Sequence, residues 1–513
     1  MTKKIIFILT LFVSFHTYGQ GELDAFRFSR NDLQGTARVQ AMGGAFGALG
    51  GDVGAITINP AGIGIYRSSE LVATLGMSNV EISTNSSKDK DSKKKFNLEN
   101  LSYVGYFPLT GNGPKTVNFG FTYNRLKSFD QQYTSNNANR ATSLTDYMGR
   151  LSDGYTTNEL GGGNAFSSGA PWLGVLGFSG SLINHIDGNI YESILEGGEM
   201  VDSKLNVKEK GYIDAYDFTI GTSIQDKFYL GLAFTLTNID YRATYYYDEY
   251  FENRGQFFLD NHLETDGSGY QLKLGAIYRP SDAIRLGISY HSPTWYSLTD
   301  YYYGKVIPAG IDGTKEVGTP NDAYTNYKIQ TPYSFTFSLA TILDSRASIS
   351  ADYEIKDYAS MKIEDNYGSD RNYLNDNKFI NQDFKLTSTL RLGLEYKFTP
   401  QIAGRIGYAW MQSPYDTKFK NGEIEVVTAG TIPHYTLLED SHHVTFGLGY
   451  RFTSQFYMDF AFVYKMQKEN LYYFSGIPEI ETQNGEIIPA LISEKVKLKN
   501  NTYRGLLTLG YKF

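Results

Sequence analysis

The 513-residue chain has no cysteine, which removes disulfides, thiol catalysis and thiolate metal sites from the functions open to it. It also has no run of roughly 20 apolar residues, the length a membrane-crossing helix needs. A mean hydropathy of −0.34 excludes a bundle of such helices. Proline is scarce at 14 residues, and basic side chains are outnumbered, 47 Lys and Arg against 55 Asp and Glu. An acidic balance argues against nucleic acid as a partner, because phosphates select basic surfaces. What is plentiful is 42 Tyr, 32 Phe and 52 Gly. Aromatic residues at that level suit strands and the interfacial girdles of a membrane barrel.

Residues 1–19 read as a signal peptide. Lys3 and Lys4 precede the apolar run Ile5 to Val13, and Thr17-Tyr18-Gly19-Gln20 offers a cleavage point after Gly19. The apolar core is too short to span a bilayer, so the chain is expected to be exported and released.

From residue 70 onward the sequence repeats segments of about ten residues in which apolar side chains alternate with small or polar ones. Val117, Phe119, Phe121 and Tyr123 alternate with Asn118, Gly120, Thr122 and Asn124, and Val444 to Phe452 and Phe456 to Met466 repeat the pattern. Fourteen such strands are expected, near 70–80, 101–108, 116–125, 211–222, 227–241, 269–279, 283–291, 328–343, 346–356, 385–398, 401–411, 442–452, 455–467 and 495–513. Connections alternate short and long, the long ones including 81–100, 126–210, 292–327, 357–384, 412–441 and 468–494. A soluble sandwich has no reason to sort its loops this way, whereas an outer-membrane barrel does. The expected fold is therefore all-β, a 14-stranded antiparallel transmembrane barrel over 70–513, multi-pass in the bacterial outer membrane and in contact with lipid. Its last strand ends on the aromatic Phe513, which resembles the terminal signal read by the outer-membrane insertion machinery.

Residues 20–69 break the pattern. Ala41 to Ala55 is apolar and Gly-rich, and Asn59-Pro60-Ala61-Gly62 follows. Asp52 and Pro60 oppose a membrane helix, and no Lys-Ser/Thr follows to make a phosphate loop. Small side chains instead let backbone pack closely in a confined lumen. Gly43, Gly44, Ala45, Asp52, Asn59, Pro60 and Ala61 resemble the N-terminal hatch of the FadL/TodX transporters. That resemblance implies a 14-strand barrel plugged by the hatch, passive uptake of long-chain fatty acids or hydrophobic aromatics, no cofactor and no catalysis. It also implies a ligand path: an outer-loop groove, a lumenal pocket beside the hatch, then a sideways exit next to a distorted strand. On it, Gly43, Gly44, Asp52, Asn59, Pro60 and Ala61 become the hatch gate. The third strand, Thr116 to Arg125, shows no Pro or bulge residue that places the exit. Relatives that act as non-transporting adaptors of outer-membrane secretion or assembly complexes supply the alternative reading, in which other outer-membrane proteins are the partners.

Candidate site residues outside the hatch fall into three groups. Trp172, Leu173, Val175, Leu176 and Phe178 read either as an apolar entry groove or as a cluster holding a long loop together. Lumen-facing Lys273, Arg285, Arg391, Arg405 and Arg451 suit a ligand carboxylate, but Asp352, Glu354, Glu395 and Asp459 are expected in the same lumen, which favours ion pairing of wall to plug. His434, Glu439, Asp440, Ser441, His442 and His443 contain the elements of a divalent metal site, weakly His434, Asp440 and His442. Adjacent His on an extended chain point to opposite faces, which spoils a shared tetrahedral site, and a Ser/His/Asp triad needs three converging groups where this spacing shows only proximity. The charged stretch Asp89 to Lys95 reads as a solvated loop tip.

Overall fold

Strands form where the alternation requires them, and they close on themselves. The computed structural model describes residues 21–513 apart from 87–89, 111–112, 345, 421–425, 427, 429 and 482–486; the expected signal peptide and Asp89 lie outside the described residues. The strands are β1 (Glu70–Thr84), β2 (Lys90–Pro108), β3 (Pro114–Ser128), β4 (Val201–Ile224), β5 (Phe228–Phe251), β6 (Gln256–Tyr278), β7 (Ile284–His291 continued by Trp295–Ala309), β8 (Tyr324–Gln330 continued by Ser334–Leu343), β9 (Ala347–Asp357), β10 (Leu386–Lys397), β11 (Ile402–Met411), β12 (Tyr435–Arg451), β13 (Phe456–Tyr472) and β14 (Lys495–Lys512). Each pairs antiparallel with its sequence neighbours, and β14 returns to β1 from Glu70↔Lys512 to Thr84↔Leu498. No barrel edge is left unpaired at that closure, which a sheet in lipid requires.

All fourteen expected strands are present, but the wall is taller than the apolar alternation marks. In β5, Phe228, Leu230, Leu232, Phe234 and Leu236 are 41–47% exposed on the outer face, while Tyr229, Ala233 and Thr235 are buried inside. Beyond Leu236 the outward positions become Asn238, Asp240 and Arg242, yet the strand runs to Phe251. Fifteen residues past Leu236, tilted as barrel strands are, rise roughly 35–40 Å above the apolar band. Out of the bilayer the outer face meets water, so the apolar positions shift to the inward side chains Ile239, Tyr241, Tyr245 and Tyr247 while the hydrogen-bond ladder continues. Two expected loops are accordingly mostly strand: 81–100 shrinks to 85–89, and 292–327 contains Trp295–Ala309 and Tyr324–Gln330. The wall strand β3 is continued by Gln131–Arg140, paired with β4, and the connections 141–200, 412–434 and 473–494 do stay long and emerge at one end of the barrel.

The lumen holds the N-terminal segment: α1 (Glu22–Ser29), α2 (Ala37–Ala41), α3 (Val53–Ile56) and a 3-10 turn at Pro60–Ile65. Its motif residues are helix caps. Thr36 accepts from Val39 N–H, Asp52 from Gly54 N–H, and Asn59 from Ala61 N–H with Pro60 opening the turn. At the long-loop end, α4 (Leu144–Ser152), α5 (Thr157–Gly161) and α6 (Trp172–Ser179) roof the barrel.

Candidate functional site

Wall glycines let the plug sit directly on the strands. Gly407 on β11 faces Gly43 so closely that a Cβ there would collide with the Gly43 nitrogen, and a Cβ on Gly43 would lie 2.8 Å from Tyr408 N and O. Gly231 on β5 meets the Pro60 backbone in the same way. Side chains complete the fastening. The Arg38 guanidinium donates to both Glu395 oxygens at 2.8 and 2.7 Å, and Glu395 is shared with Arg405, which also pairs with Asp459 at 2.5 Å. Asp352 accepts from Phe46 and Gly47 N–H at 3.0 and 2.9 Å. Asn59 donates to Gly47 O at 2.7 Å and toward Ala276 and Ile288 of the wall. Arg285 donates to Leu49 O.

The expected gate residues Gly43, Asp52, Asn59, Pro60 and Ala61 are therefore buried anchors. Gly44 and Asp52 border cavities on opposite sides of the plug. The lumen cations are paired as well: Lys273 with Asp217 at 2.7 Å, Arg391 with Glu354 at 2.7 Å, and Arg405 as above. Arg451 is exposed at the short-turn end.

The space lies above the plug. Three adjoining cavities of about 160, 80 and 140 Å³ surround α1 and residues 30–34, on the long-loop side. Phe26, Phe129, Tyr133, Tyr245, Leu263 and Tyr415 line the first, together with Arg30, Lys127, Lys465, Glu209 and Glu469. A pocket lies beside the hatch, as the resemblance implies, and it is amphipathic, with rings and charged groups sharing its lining. Lys127 and Lys465 approach Asp32 at 3.3 and 3.6 Å, and Arg30 stands over the Phe26 ring at 5.4 Å with no carboxylate within 4 Å among the described residues. Sequence reasoning missed Arg30, Asp32, Lys127 and Lys465 because the first two lie in a segment without periodicity, Lys127 sits above the apolar band, and Lys465 is one of many inward polar positions, between Tyr464 and Met466.

The 80 Å³ cavity abuts a break in the wall. The β2–β3 ladder runs from Pro108↔Thr116 to Asn100↔Asn124 and ends there. Glu99 is skipped in the β1 register and Leu126 in the β4 register, so a bulge on each strand turns the pair apart. Above that point side chains alone close the seam: Arg125 to Asn97 Oδ1 at 3.2 Å, Lys95 to Asp130 at 3.4 Å, and Thr134 N–H to Asp91 at 2.7 Å. Neither bulge involves Pro or Gly, which is why the sequence of the third strand does not announce it.

The remaining candidates separate. Leu173, Val175 and Leu176 are at most 3% exposed in the core of the roof, with Trp172 against Tyr302 and Phe178 against Tyr191; the open apolar groove is not formed by them. His434 is buried beside Tyr245, His442 bonds Tyr408 Oη at 2.8 Å, and Asp440 accepts from Trp410 Nε1 and Ser413 N–H. These three point apart, and no group of metal-ligating side chains converges among the described residues.

Comparison with known proteins agrees with this architecture. Residues 223–475 match the family model of outer membrane protein transport proteins (OMPP1/FadL/TodX). A Pseudomonas aeruginosa FadL homologue shares the fold at a TM-score of 0.53 and 12% identity, covering 94% of this chain and 100% of that one. A deletion variant of the monoaromatic hydrocarbon channel TodX, a Pseudomonas putida protein, gives 0.51 at 14% identity over 94% and 100%. No curated protein matches. The chain is thus a hatch-filled 14-stranded barrel with the fold of the FadL homologue, and its central strands match the FadL/TodX family of outer-membrane transport proteins.

Proposed function

We propose that the chain takes a hydrophobic small molecule from outside into the chamber above the hatch and releases it sideways through the β2–β3 seam. The observation that carries this reading is the seam itself. There a wall ladder stops although both of its strands continue, and the stretch borders the chamber. Outward of it lie Leu98 and Leu101, 38% and 41% exposed, so a ligand leaving there meets apolar surface and lipid rather than water.

The same geometry divides the hatch into two parts. Residues 43–61 are the fixed floor, held by glycine contacts and charge-assisted bonds. Residues 30–34 carry no regular structure and line the cavities, which suits them to move when a ligand enters. The chamber's rings suit a small aromatic or the first carbons of an acyl chain, and the name of TodX as a monoaromatic hydrocarbon channel supports the former. Crystals soaked with bromobenzene test the site: anomalous density between Phe26, Phe129 and Tyr415 supports the reading, and density confined to the detergent belt contradicts it.

A further inference from the structure

The chain is acidic overall, yet one side of its outer surface carries six exposed lysines: Lys90, Lys94, Lys468, Lys495, Lys497 and Lys499. Their placement is set by register. Tyr464 stacks on Tyr503 at 5.0 Å, and the same row continues through Asn79 to Lys94, marking the upper aromatic girdle. Four residues higher, Lys468 pairs with Lys499, Lys499 with Ser83, and Ser83 with Lys90, one row across β13, β14, β1 and β2. That step places the row roughly 10 Å above the girdle. Lys497 and Lys495 continue upward on β14. None of the six has a carboxylate within 4 Å among the described residues, although other surface lysines do, such as Lys305 with Glu316 and Lys362 with Glu364.

Directly opposed like charges on neighbouring strands are destabilising, so Lys468 and Lys499 call for an outside anion. The opposite wall shows the contrast at the same height: Asp240 faces Asp266 four residues above the Tyr270–Trp295 girdle contact, and there Arg242 supplies the counter-charge within the chain. Below the lysine row the same strands present Phe460, Leu507, Leu75 and Leu98 to lipid. A ligand that meets both surfaces has an anionic head about 10 Å deep and acyl chains beneath it.

We infer that β13, β14, β1 and β2 form a binding face for an outer-leaflet glycolipid, its phosphate or carboxylate groups held by Lys90, Lys468 and Lys499 and its acyl chains on the apolar rows below. This rests on reading the chain as an outer-membrane barrel. It fits a headgroup of phosphorylated sugars better than a glycerophospholipid, whose phosphate ends near the girdle.

The test uses the full chain in phosphatidylcholine nanodiscs, titrated with lipopolysaccharide and read by native mass spectrometry. The K90Q/K468Q/K499Q variant is expected to bind roughly fivefold more weakly per lysine removed, on the order of a hundredfold in all. R242Q on the opposite wall is expected to bind as the parent does. Equal affinity of the triple variant and the parent overturns the inference. So does equal affinity for the deacylated oligosaccharide, which makes the occupant a soluble polyanion. Should the triple variant fail the heat-modifiability test for a folded barrel, K499Q alone carries the expected fivefold loss. A parent chain that does not insert into the nanodisc refutes the outer-membrane reading instead.

Discussion

Locking the β2–β3 seam is the sharpest test of the exit route. The chain has no cysteine, so a K95C/D130C pair can be bridged by a short bismaleimide without competing thiols. The Lys95–Asp130 contact is 3.4 Å with Lys95 44% exposed, so it contributes at most about 1 kcal/mol. Removing it unbridged therefore raises the open population of the seam by no more than about fivefold. Arg125–Asn97 and Thr134–Asp91 remain, and the ladder below Asn100↔Asn124 is untouched. The barrel should stay folded in both states. Bridging ties the two diverging strands together, and initial uptake of a radiolabelled aromatic is expected to fall to the level of barrel-free vesicles. The unbridged variant should take it up at the parent rate or up to fivefold faster. Parent-like uptake by the fully bridged protein refutes lateral release at this seam.

Three further outcomes follow from the same contacts. Gly407→Ala places a methyl against the Gly43 backbone and should destabilise the hatch by about 1–3 kcal/mol, read as faster tryptic cleavage at Arg38 with the barrel intact. Arg38→Ala leaves Glu395 with Arg405 as its remaining partner and should cost about 2–3 kcal/mol, seen as faster hydrogen exchange at Val39 and Gln40; in the E395Q background the added loss should shrink. His434, outside the membrane band, is buried beside Tyr245, and burial, with Arg27 nearby, holds its pKa down at about 3. The unfolded imidazole takes a proton near pH 6.5, so the packing of α1 against His434 and Tyr245 loses stability as pH falls from 6.5 toward 3, about 2 kcal/mol by pH 5. Hydrogen exchange around α1 should rise accordingly, and His434→Gln should remove that dependence.

How much of this was legible in the sequence follows from where water and lipid lie. The fourteen strands were, because lipid outside and polar lumen inside write a period of two into segments such as Phe228 to Leu236. The height of the wall was not, because above Leu236 the pattern inverts: outward Asn238, Asp240 and Arg242 are polar while inward Ile239, Tyr241, Tyr245 and Tyr247 are buried and mostly aromatic, so the stretch no longer matches an apolar-out, polar-in strand. The hatch was legible in its composition, but Asp52 and Asn59 are caps and Gly43 is a point of close approach, roles that need three dimensions to tell from a ligand gate. The lumen cations were legible as ion-paired, but Lys273, Arg391 and Arg405 pair with carboxylates of the wall, and of these carboxylates it is Glu395 that also reaches the plug, through Arg38. The chamber was not, since Arg30, Lys127 and Lys465 come from three distant segments, and the seam was hidden because Glu99 and Leu126 are ordinary strand residues.

The central claim is that this barrel conducts a hydrophobic small molecule. Its most direct test is the initial rate at which outer-membrane vesicles take up radiolabelled toluene and oleate with and without the chain. A rate above barrel-free vesicles for at least one tracer, saturable and abolished by heat-unfolding the barrel, is the predicted result; identical rates for both tracers contradict it.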